Sequence, residues 1–215
     1  MRKSHISIIA IILASFAAGV WFYPQMPELM ASHWNFMGQV DGYMSKFWGL
    51  FLMPIISSAM FLLFLVIPEI DPHKENIKKF RKYFDGFIVL MVLFLFYIYG
   101  LTILWNLGVS VNMNIMLPPV ISILLFYCGV LIGKAKMNWF IGIRTPWTLS
   151  SEAVWDKTHS LGAKLFKICS VISLTGVFLS SLAIFLTVIP VTFASILLVV
   201  YSYLEHRKET ISLKQ

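Results

Sequence analysis

The side chains best suited to chemistry lie in two polar segments. The first, residues 24–46, carries His33, Asn35 and Asp41, which supply an imidazole, an amide and a carboxylate. Together these groups could form a polar binding site or ligate a metal ion. One histidine and one aspartate make a poor metal signature. The pattern therefore favours a partner-binding surface, to which Trp34 would add an aromatic contact.

A second interpretation of the same segment needs no ligand. Asp41 could form a turn with Gly42, because aspartate caps its own backbone and glycine permits positive φ. His33 would then hydrogen-bond to the backbone. Trp34 would lie at the membrane interface, where amphipathic aromatic side chains collect.

The second polar segment, residues 134–167, contains Arg144 and His159. Arg144 could bind a lipid phosphate, pair with Glu152 or Asp156 within the loop, or bind a substrate. His159 lies at the apolar edge of a predicted helix. It is either a titratable or ligand-contacting group, or a packed histidine at the membrane interface.

Several kinds of catalytic and transport motif are missing from the sequence. The apolar stretches have no Asp, Glu, Lys or Arg near their centres, whereas proton pumps and many transporters need such buried charges. The sequence also has no phosphate-binding glycine-rich loop, no H-E-x-x-H, no cysteine cluster and no G-x-S-x-G. We therefore expect no catalytic residue, no metal and no cofactor, and we do not expect an enzyme.

The elements that position these segments must be membrane helices, because the composition excludes a water-soluble domain. Of 215 residues, 59% are hydrophobic and 13% are charged, and the mean hydropathy is +0.81. A soluble domain has about 45–50% apolar and about 25% charged residues. Cys128 and Cys169 lie within apolar runs, so we interpret them as small buried hydrophobic side chains.

Six transmembrane helices are predicted, because a span needs about 20 mostly apolar residues and a lipid-exposed backbone must satisfy its own hydrogen bonds. The predicted spans are residues 6–24, 47–67, 87–107, 115–133, 163–186 and 189–204. The first could be a cleaved signal peptide, but its apolar stretch is too long for one. We place the bend between the last two spans near Pro190, since proline disfavours a helix interior. The fold class is therefore an all-α, polytopic membrane protein.

The basic residues predict the orientation of the chain. In the six-span arrangement every Lys and Arg except Lys46 lies on the side of the two termini. Because Lys and Arg are enriched in cytoplasmic loops, we expect both termini in the cytoplasm and residues 24–46 outside. His33 and His159 would then lie on opposite sides of the membrane and could not form one site.

Two short elements are predicted beside the polar residues. Residues 30–35 and 40–43 are expected to pair as a small β-hairpin, with a turn at Gly38. Ser150 or Ser151 is expected to cap a helix that runs along the interface and continues into the fifth span.

Residues 69–85 predict a basic amphipathic helix. Ile77, Phe80 and Phe84 recur at helical spacing, and lysines and an arginine at 78–82 surround them. Such a helix would lie on the anionic inner leaflet, either as a topology anchor or as a docking surface for a cytosolic partner.

Two motifs resemble a known family. The first comprises Pro24-x-x-Pro27-Glu28, His33-Trp34-Asn35, Gly38-x-x-Asp41-Gly42 and Ser45-Lys46. The second comprises Asn138-Trp139-Phe140-x-Gly142-x-Arg144-Thr145-Pro146-Trp147-Thr148, then Val154-Trp155 and Thr158-His159. The first resembles the N-terminal domain of unknown function in the SdpI family, and the second resembles the C-terminal region of that family.

The resemblance implies a bacterial multi-pass protein of the cytoplasmic membrane, with a first domain at 1–68 and a four-span region at 69–215. It implies an immunity protein that protects a producing cell from its own secreted toxic peptide. It also implies signalling through a cytosolic repressor held at the membrane. The residues that we expect to be functional are His33, Trp34, Asn35 and Asp41 in the outer loop and Asn138, Gly142, Arg144, Thr145, Pro146, Trp155 and His159 in the cytoplasmic motif.

We therefore expect a membrane immunity protein. Its partners would be membrane lipids, a toxic peptide at the outer face and a cytosolic helix-turn-helix repressor, with no direct contact to nucleic acid. One alternative is a small transporter or channel lined by the Asn, Ser and Thr of the spans. Another is a membrane enzyme that acts on lipid or cell-wall precursors through His33 and Asp41. A toxin gene or a repressor gene beside this gene would favour immunity.

Overall fold

The computed structural model describes residues 2–212 as a helical bundle with one small β-hairpin. The elements in chain order are α1 (Lys3–Phe22), β1 (Leu29–Trp34), β2 (Val40–Ser45), α2 (Lys46–Ile70), α3 (Lys74–Asn106), α4 (Met113–Ile132), α5 (Pro146–Ser150), α6 (Glu152–Leu174) and α7 (Ala183–Ser212). Short 3₁₀ turns lie at Tyr23–Gln25, Thr175–Val177 and Ser180–Leu182. Lys214, one of the basic residues assigned to the cytoplasmic side, lies outside the described residues.

Six of the helices are long and apolar enough to cross a membrane: α1, α2, α3, α4, α6 and α7. This confirms the predicted all-α fold with six membrane-spanning helices. The chain is a multi-pass membrane protein.

The β-hairpin and the loop of residues 133–151 lie at opposite ends of the bundle. The hairpin joins α1 to α2, and it contacts the last residue of α3, Asn106. The loop joins α4 to α6, and it contacts the first turn of α3 at Asn76. Within the described residues, Lys46 is the basic residue at the hairpin end, so the charge asymmetry of the sequence follows the two ends of the bundle.

Small residues let α4 and α6 approach closely. A Cβ atom added to Gly129 would lie 2.9 Å from the carbonyl oxygen of Ala163, and one added to Gly133 would lie 3.0 Å from the Ala163 Cβ. Small residues one helical turn apart are a common way for membrane helices to pack. Between α6 and α7, the Ser173 and Thr187 hydroxyl oxygens lie 2.7 Å apart.

The predicted bend between the last two spans is misplaced. The helical path is interrupted at residues 175–182, and Pro190 lies inside α7. Gly176 permits the break there, since a Cβ atom would lie 3.1 Å from Ala183 Cα and 3.3 Å from Pro118 Cγ. One backbone hydrogen bond lost at a proline costs less than a set of unpaired groups in lipid, so the helix continues through Pro190.

The basic segment 69–85 is helical, but its apolar face does not lie on lipid. It forms the end of α2 and the first turns of α3, with a non-helical φ of −119° at Phe80 that marks a kink. Ile77, Phe80 and Phe84 are each 1% exposed and pack in a core that includes Ile8 of α1. The prediction that this helix lies with its apolar face on the inner leaflet is therefore wrong, because protein side chains cover that face. Helical spacing shows that a face is buried, but not whether protein or lipid buries it.

Candidate functional site

The predicted β-hairpin is present, and Asn35 organises its turn. Strands β1 and β2 pair antiparallel, and Asn35 Oδ1 accepts hydrogen bonds from the backbone N–H of Met37 at 2.9 Å and of Gln39 at 3.1 Å. Gly38 has a φ of +77°, in the left-handed region that favours glycine. Asn35 therefore shapes the turn, and Asp41 is not needed for it.

His33 and Asp41 lie side by side on the exposed surface of the hairpin. The distance from His33 Nδ1 to Asp41 Oδ1 is 2.5 Å, and the two side chains are 70% and 45% exposed. The imidazole thus has a carboxylate partner rather than a backbone one. Within residues 2–212, no further His, Cys, Asp or Glu joins them to form a candidate metal site. Because exposed pairs add little stability, this pair contributes little to holding the hairpin together, and both polar side chains stay accessible at the surface.

Two asparagines that the sequence analysis did not assign to a site hold the hairpin against the bundle. Asn106 accepts a hydrogen bond from the Ala31 N–H at 2.8 Å and donates one to the Ala31 carbonyl at 3.0 Å. Asn114 of α4 donates to the Phe36 carbonyl at 3.0 Å. An amide at the end of a span is visible in the sequence, but a partner 75 residues away is not.

An apolar cavity of about 190 Å³ lies beneath the tip of the hairpin, between α4 and α7. Residues that line it include Trp34, Phe36, Asn114, Pro118, Ile184 and Thr187. The indole of Trp34 meets Trp105 edge to face, with 5.7 Å between ring centroids. The Trp34 Nε1 is buried and has no hydrogen-bond partner within residues 2–212. The hairpin thus combines an exposed polar pair with an apolar cavity below its tip.

At the opposite end, the second motif folds into a compact loop around Asn138. The Asn138 amide is fully buried and donates to the carbonyls of Lys136 and Ile141, each at 2.8 Å. Its oxygen accepts from the N–H groups of Phe140 at 3.0 Å and Ile141 at 2.6 Å. A buried amide with all its groups paired fixes the path of the chain.

Asp71 and Asn76, which no sequence motif marked, tie this loop to the neighbouring helices. The Asp71 carboxylate is 2% exposed and accepts from the backbone N–H of Trp139 at 2.9 Å and of His73 at 2.7 Å. Asn76 donates to the Met137 carbonyl at 2.9 Å. These bonds join segments 68 and 61 residues apart, which is why local pattern gave no sign of them.

His159 is packed inside the loop rather than open to a ligand. Its Nε2 accepts a hydrogen bond from the Ile143 N–H at 3.0 Å, and its Nδ1 lies 2.8 Å from the Trp155 carbonyl oxygen. These partners assign the neutral ring with the proton on Nδ1. The ring stacks on Trp155 at a centroid distance of 3.8 Å, and Trp155 Nε1 donates to the Ala135 carbonyl at 3.0 Å. The structure thus favours the packed interpretation of this histidine.

Gly142 makes this packing possible. It has a φ of +116°, which side chains rarely adopt. A Cβ atom at this position would overlap Nε2 of His159 and would lie 3.4 Å from Cη2 of Trp155. Both the backbone conformation and the space therefore require glycine.

Thr145 and Pro146 begin the short helix α5 and join the loop to α7. Thr145 Oγ1 accepts a hydrogen bond from the Thr148 N–H at 3.1 Å, as part of a capping box, and Pro146 opens the helix. Thr145 Oγ1 also lies 3.0 Å from Ser202 Oγ of α7. At the next helix, Ser151 caps α6, as one of the two serines was predicted to do.

Arg144 has a specific local partner, but the partner is not a carboxylate. Its guanidinium donates to the Trp139 carbonyl at 2.9 Å while the side chain stays exposed. Within residues 2–212 it forms no ion pair with Glu152 or Asp156, and Asp156 pairs with Lys136 at 3.3 Å instead. Arg144 therefore closes the loop through the backbone.

The fold and its two sites define a multi-pass cell-membrane protein with a pinned hairpin at one end of the bundle and a folded loop at the other. The two motifs do not form one site. Residues of the first motif lie at the hairpin end of the bundle, and residues of the second lie at the opposite end, in the loop of residues 133–151 and the start of α6. Comparison with known proteins gives two family matches. Residues 10–57 match a domain of unknown function (DUF1648), and residues 134–202 match the SdpI/YfhL protein family.

The chain is also similar to the immunity protein SdpI of Bacillus subtilis (strain 168). The two are 27% identical over 209 residues, which cover 97% of this chain and 98% of the relative. These matches confirm the resemblance to the SdpI family that the two motifs indicate. No solved structure matches the chain.

Proposed function

We propose that this protein is a membrane immunity protein that protects the cell against a secreted toxic peptide. The observation that carries the proposal is the similarity to an immunity protein over nearly the full length of both chains. Both motifs contribute to ordered structure rather than to a catalytic arrangement, so a binding role fits them best.

The hairpin end supports recognition of an amphipathic peptide. The His33–Asp41 pair offers hydrogen-bonding groups to the polar part of a peptide. The cavity bordered by Trp34 and Phe36 offers space for an apolar side chain. Peptides of this kind insert at the boundary between headgroups and acyl chains, which is the depth of a hairpin that rests on helix ends. Binding there would block insertion without any chemical step.

Expression of the protein in a sensitive strain is expected to raise the minimum inhibitory concentration of the cognate peptide. His33→Ala and Asp41→Ala should each weaken peptide binding about tenfold, because each removes a hydrogen bond that involves a charged group. The double variant should bind the peptide no more weakly than either single variant does, since the two side chains act as one pair. Inhibitory concentrations, measured at matched membrane levels, test these expectations.

Two controls separate recognition from a general loss of function. His73→Ala makes the same chemical change at the opposite end of the bundle and should leave protection intact. Lys78→Gln with Lys79→Gln, on the exposed basic surface of α3, should also leave protection intact; we propose that this surface relays the signal to a cytosolic repressor. If the protein changes tolerance to no membrane-active peptide, but moves a solute across liposomes, it is a transporter.

The proposed function requires the hairpin to face outward and both termini to face the cytoplasm. In a background with Cys128 and Cys169 replaced by alanine, a cysteine at Gln39 should react with an impermeant thiol reagent on intact cells. A cysteine at Thr210 should react only after the cells are opened. Labelling at position 210 but not at 39 would invert the topology and remove the hairpin as a recognition surface.

A further inference from the structure

A cleft of about 480 Å³ lies between α4 and α6 at the loop end of the bundle. Gly129, Gly133 and Ala163, where α4 and α6 approach closely, line it at its base. The cleft is separate from the hairpin and from the cavity beneath it.

Four lysines surround this cleft: Lys134, Lys136, Lys164 and Lys167. Asp156 is the carboxylate that lines it within the described residues, and it pairs with Lys136 at 3.3 Å. The remaining three ammonium groups have no carboxylate partner within residues 2–212. The cleft therefore carries a net positive charge of about three, which favours a ligand with phosphate oxygens.

The position of the cleft distinguishes a lipid from a small soluble anion. Helix α4 ends at Ile132, so the lysines lie at the level where a membrane helix leaves the hydrocarbon region. One turn deeper, the Lys167 ammonium lies 5.7 Å from the centre of the Phe126 ring. Phe126 on α4 and Val171 on α6 are 50% and 63% exposed and extend the cleft toward the bilayer as an apolar surface.

We propose that this cleft binds the headgroup phosphate of an anionic phospholipid, with the acyl chains along the apolar surfaces of α4 and α6. The lysines at the rim contact the phosphate oxygens, and their apolar stems lie against the helices. Basic clefts between membrane helices on the cytoplasmic side suit such headgroups. The ligand is one structural lipid bound at this site. Such binding differs from the general electrostatic attraction between the basic loops and the membrane.

The test uses the full-length protein in a neutral detergent, titrated separately with phosphatidylglycerol, phosphatidylcholine and inorganic phosphate. Native mass spectrometry measures the apparent dissociation constant of the first bound molecule. The wild-type chain should retain one phosphatidylglycerol in preference to phosphatidylcholine. Lys164→Gln with Lys167→Gln should weaken this binding about thirtyfold, from a contribution of about fivefold for each lysine.

Two matched variants complete the design. Lys3→Gln with Lys82→Gln removes the same charge from exposed positions outside the cleft and should change the affinity less than about twofold by screening alone. Lys164→Arg with Lys167→Arg retains the charge and should retain the lipid, which shows that loss in the glutamine variant is not loss of fold. Equal weakening in both glutamine variants, or equal retention of phosphatidylcholine, would overturn the proposal. Displacement of the lipid by an equal concentration of inorganic phosphate would assign the site to the free anion instead.

Discussion

Replacing Gly142 with alanine is expected to destabilise the protein by about 3 kcal/mol, from a strained left-handed backbone and from overlap with the His159 ring. To make room, the His159 ring must move away, and its Nε2 then loses the hydrogen bond from the Ile143 N–H. That partly buried group is left unpaired. The loop of residues 133–151 should then open. Thermal unfolding of the purified protein in detergent measures the loss.

The chain offers two controls for this substitution. Gly108 also has a positive φ, +87°, but nothing lies within 4 Å of a Cβ atom added there. Gly108→Ala should therefore show the backbone strain alone, about 1 kcal/mol. Gly100, inside α3, has open space and an ordinary φ, so Gly100→Ala should be neutral or slightly stabilising. If Gly142→Ala is no worse than Gly108→Ala, the packing of His159 does not depend on the glycine.

Asn106→Ala is expected to detach the hairpin from the bundle. The substitution removes both hydrogen bonds to Ala31 and leaves the buried N–H and carbonyl of that residue unpaired, which costs about 2–3 kcal/mol. Hydrogen exchange of residues 29–45 should become faster, and protection against the peptide should fall. The six helices should stay inserted, because the change lies at the end of a span.

Asn76→Ala is the matched control. It removes an amide from the same helix, but at the other end, where the amide donates to Met137. It should accelerate exchange in residues 133–151 and leave the hairpin protected. If Asn106→Ala leaves exchange in the hairpin unchanged, the two hydrogen bonds to Ala31 do not hold the hairpin in place.

The sequence predicted those features that depend on local pattern. Six apolar stretches, the hairpin around Gly38 and the serine cap of α6 follow from hydropathy, turn chemistry and capping preference. The position of the break between α6 and α7 was not predicted. Pro190 looks like a helix breaker in the sequence, but inside the bilayer the helix continues through it. The spacing of apolar residues predicted a buried face around Phe80, but it did not predict that other helices of the protein bury this face.

The sequence predicted which residues lie in the candidate site, but not which groups they contact. His33 and Asp41 were expected in one segment, and the antiparallel pairing of β1 with β2 places them in contact. By contrast, the partners of Asn106 and Asp71 lie 75 and 68 residues away. For Arg144 the sequence left a lipid phosphate, a carboxylate of the loop and a substrate open as partners. The fold gives it the Trp139 carbonyl, since only tertiary structure determines which groups reach a guanidinium.

Helix α3 carries an anchoring amide at each end. Its 33 residues span about 50 Å, with Asn76 bonded to the loop and Asn106 bonded to the hairpin. A rigid helix cannot slide along its axis without changing both of these distances together. The kink at Phe80 lies between Asn76 and the rest of the helix. The hairpin and the loop of residues 133–151 are thus seated on opposite ends of one helix, so the length of α3 sets the distance between them.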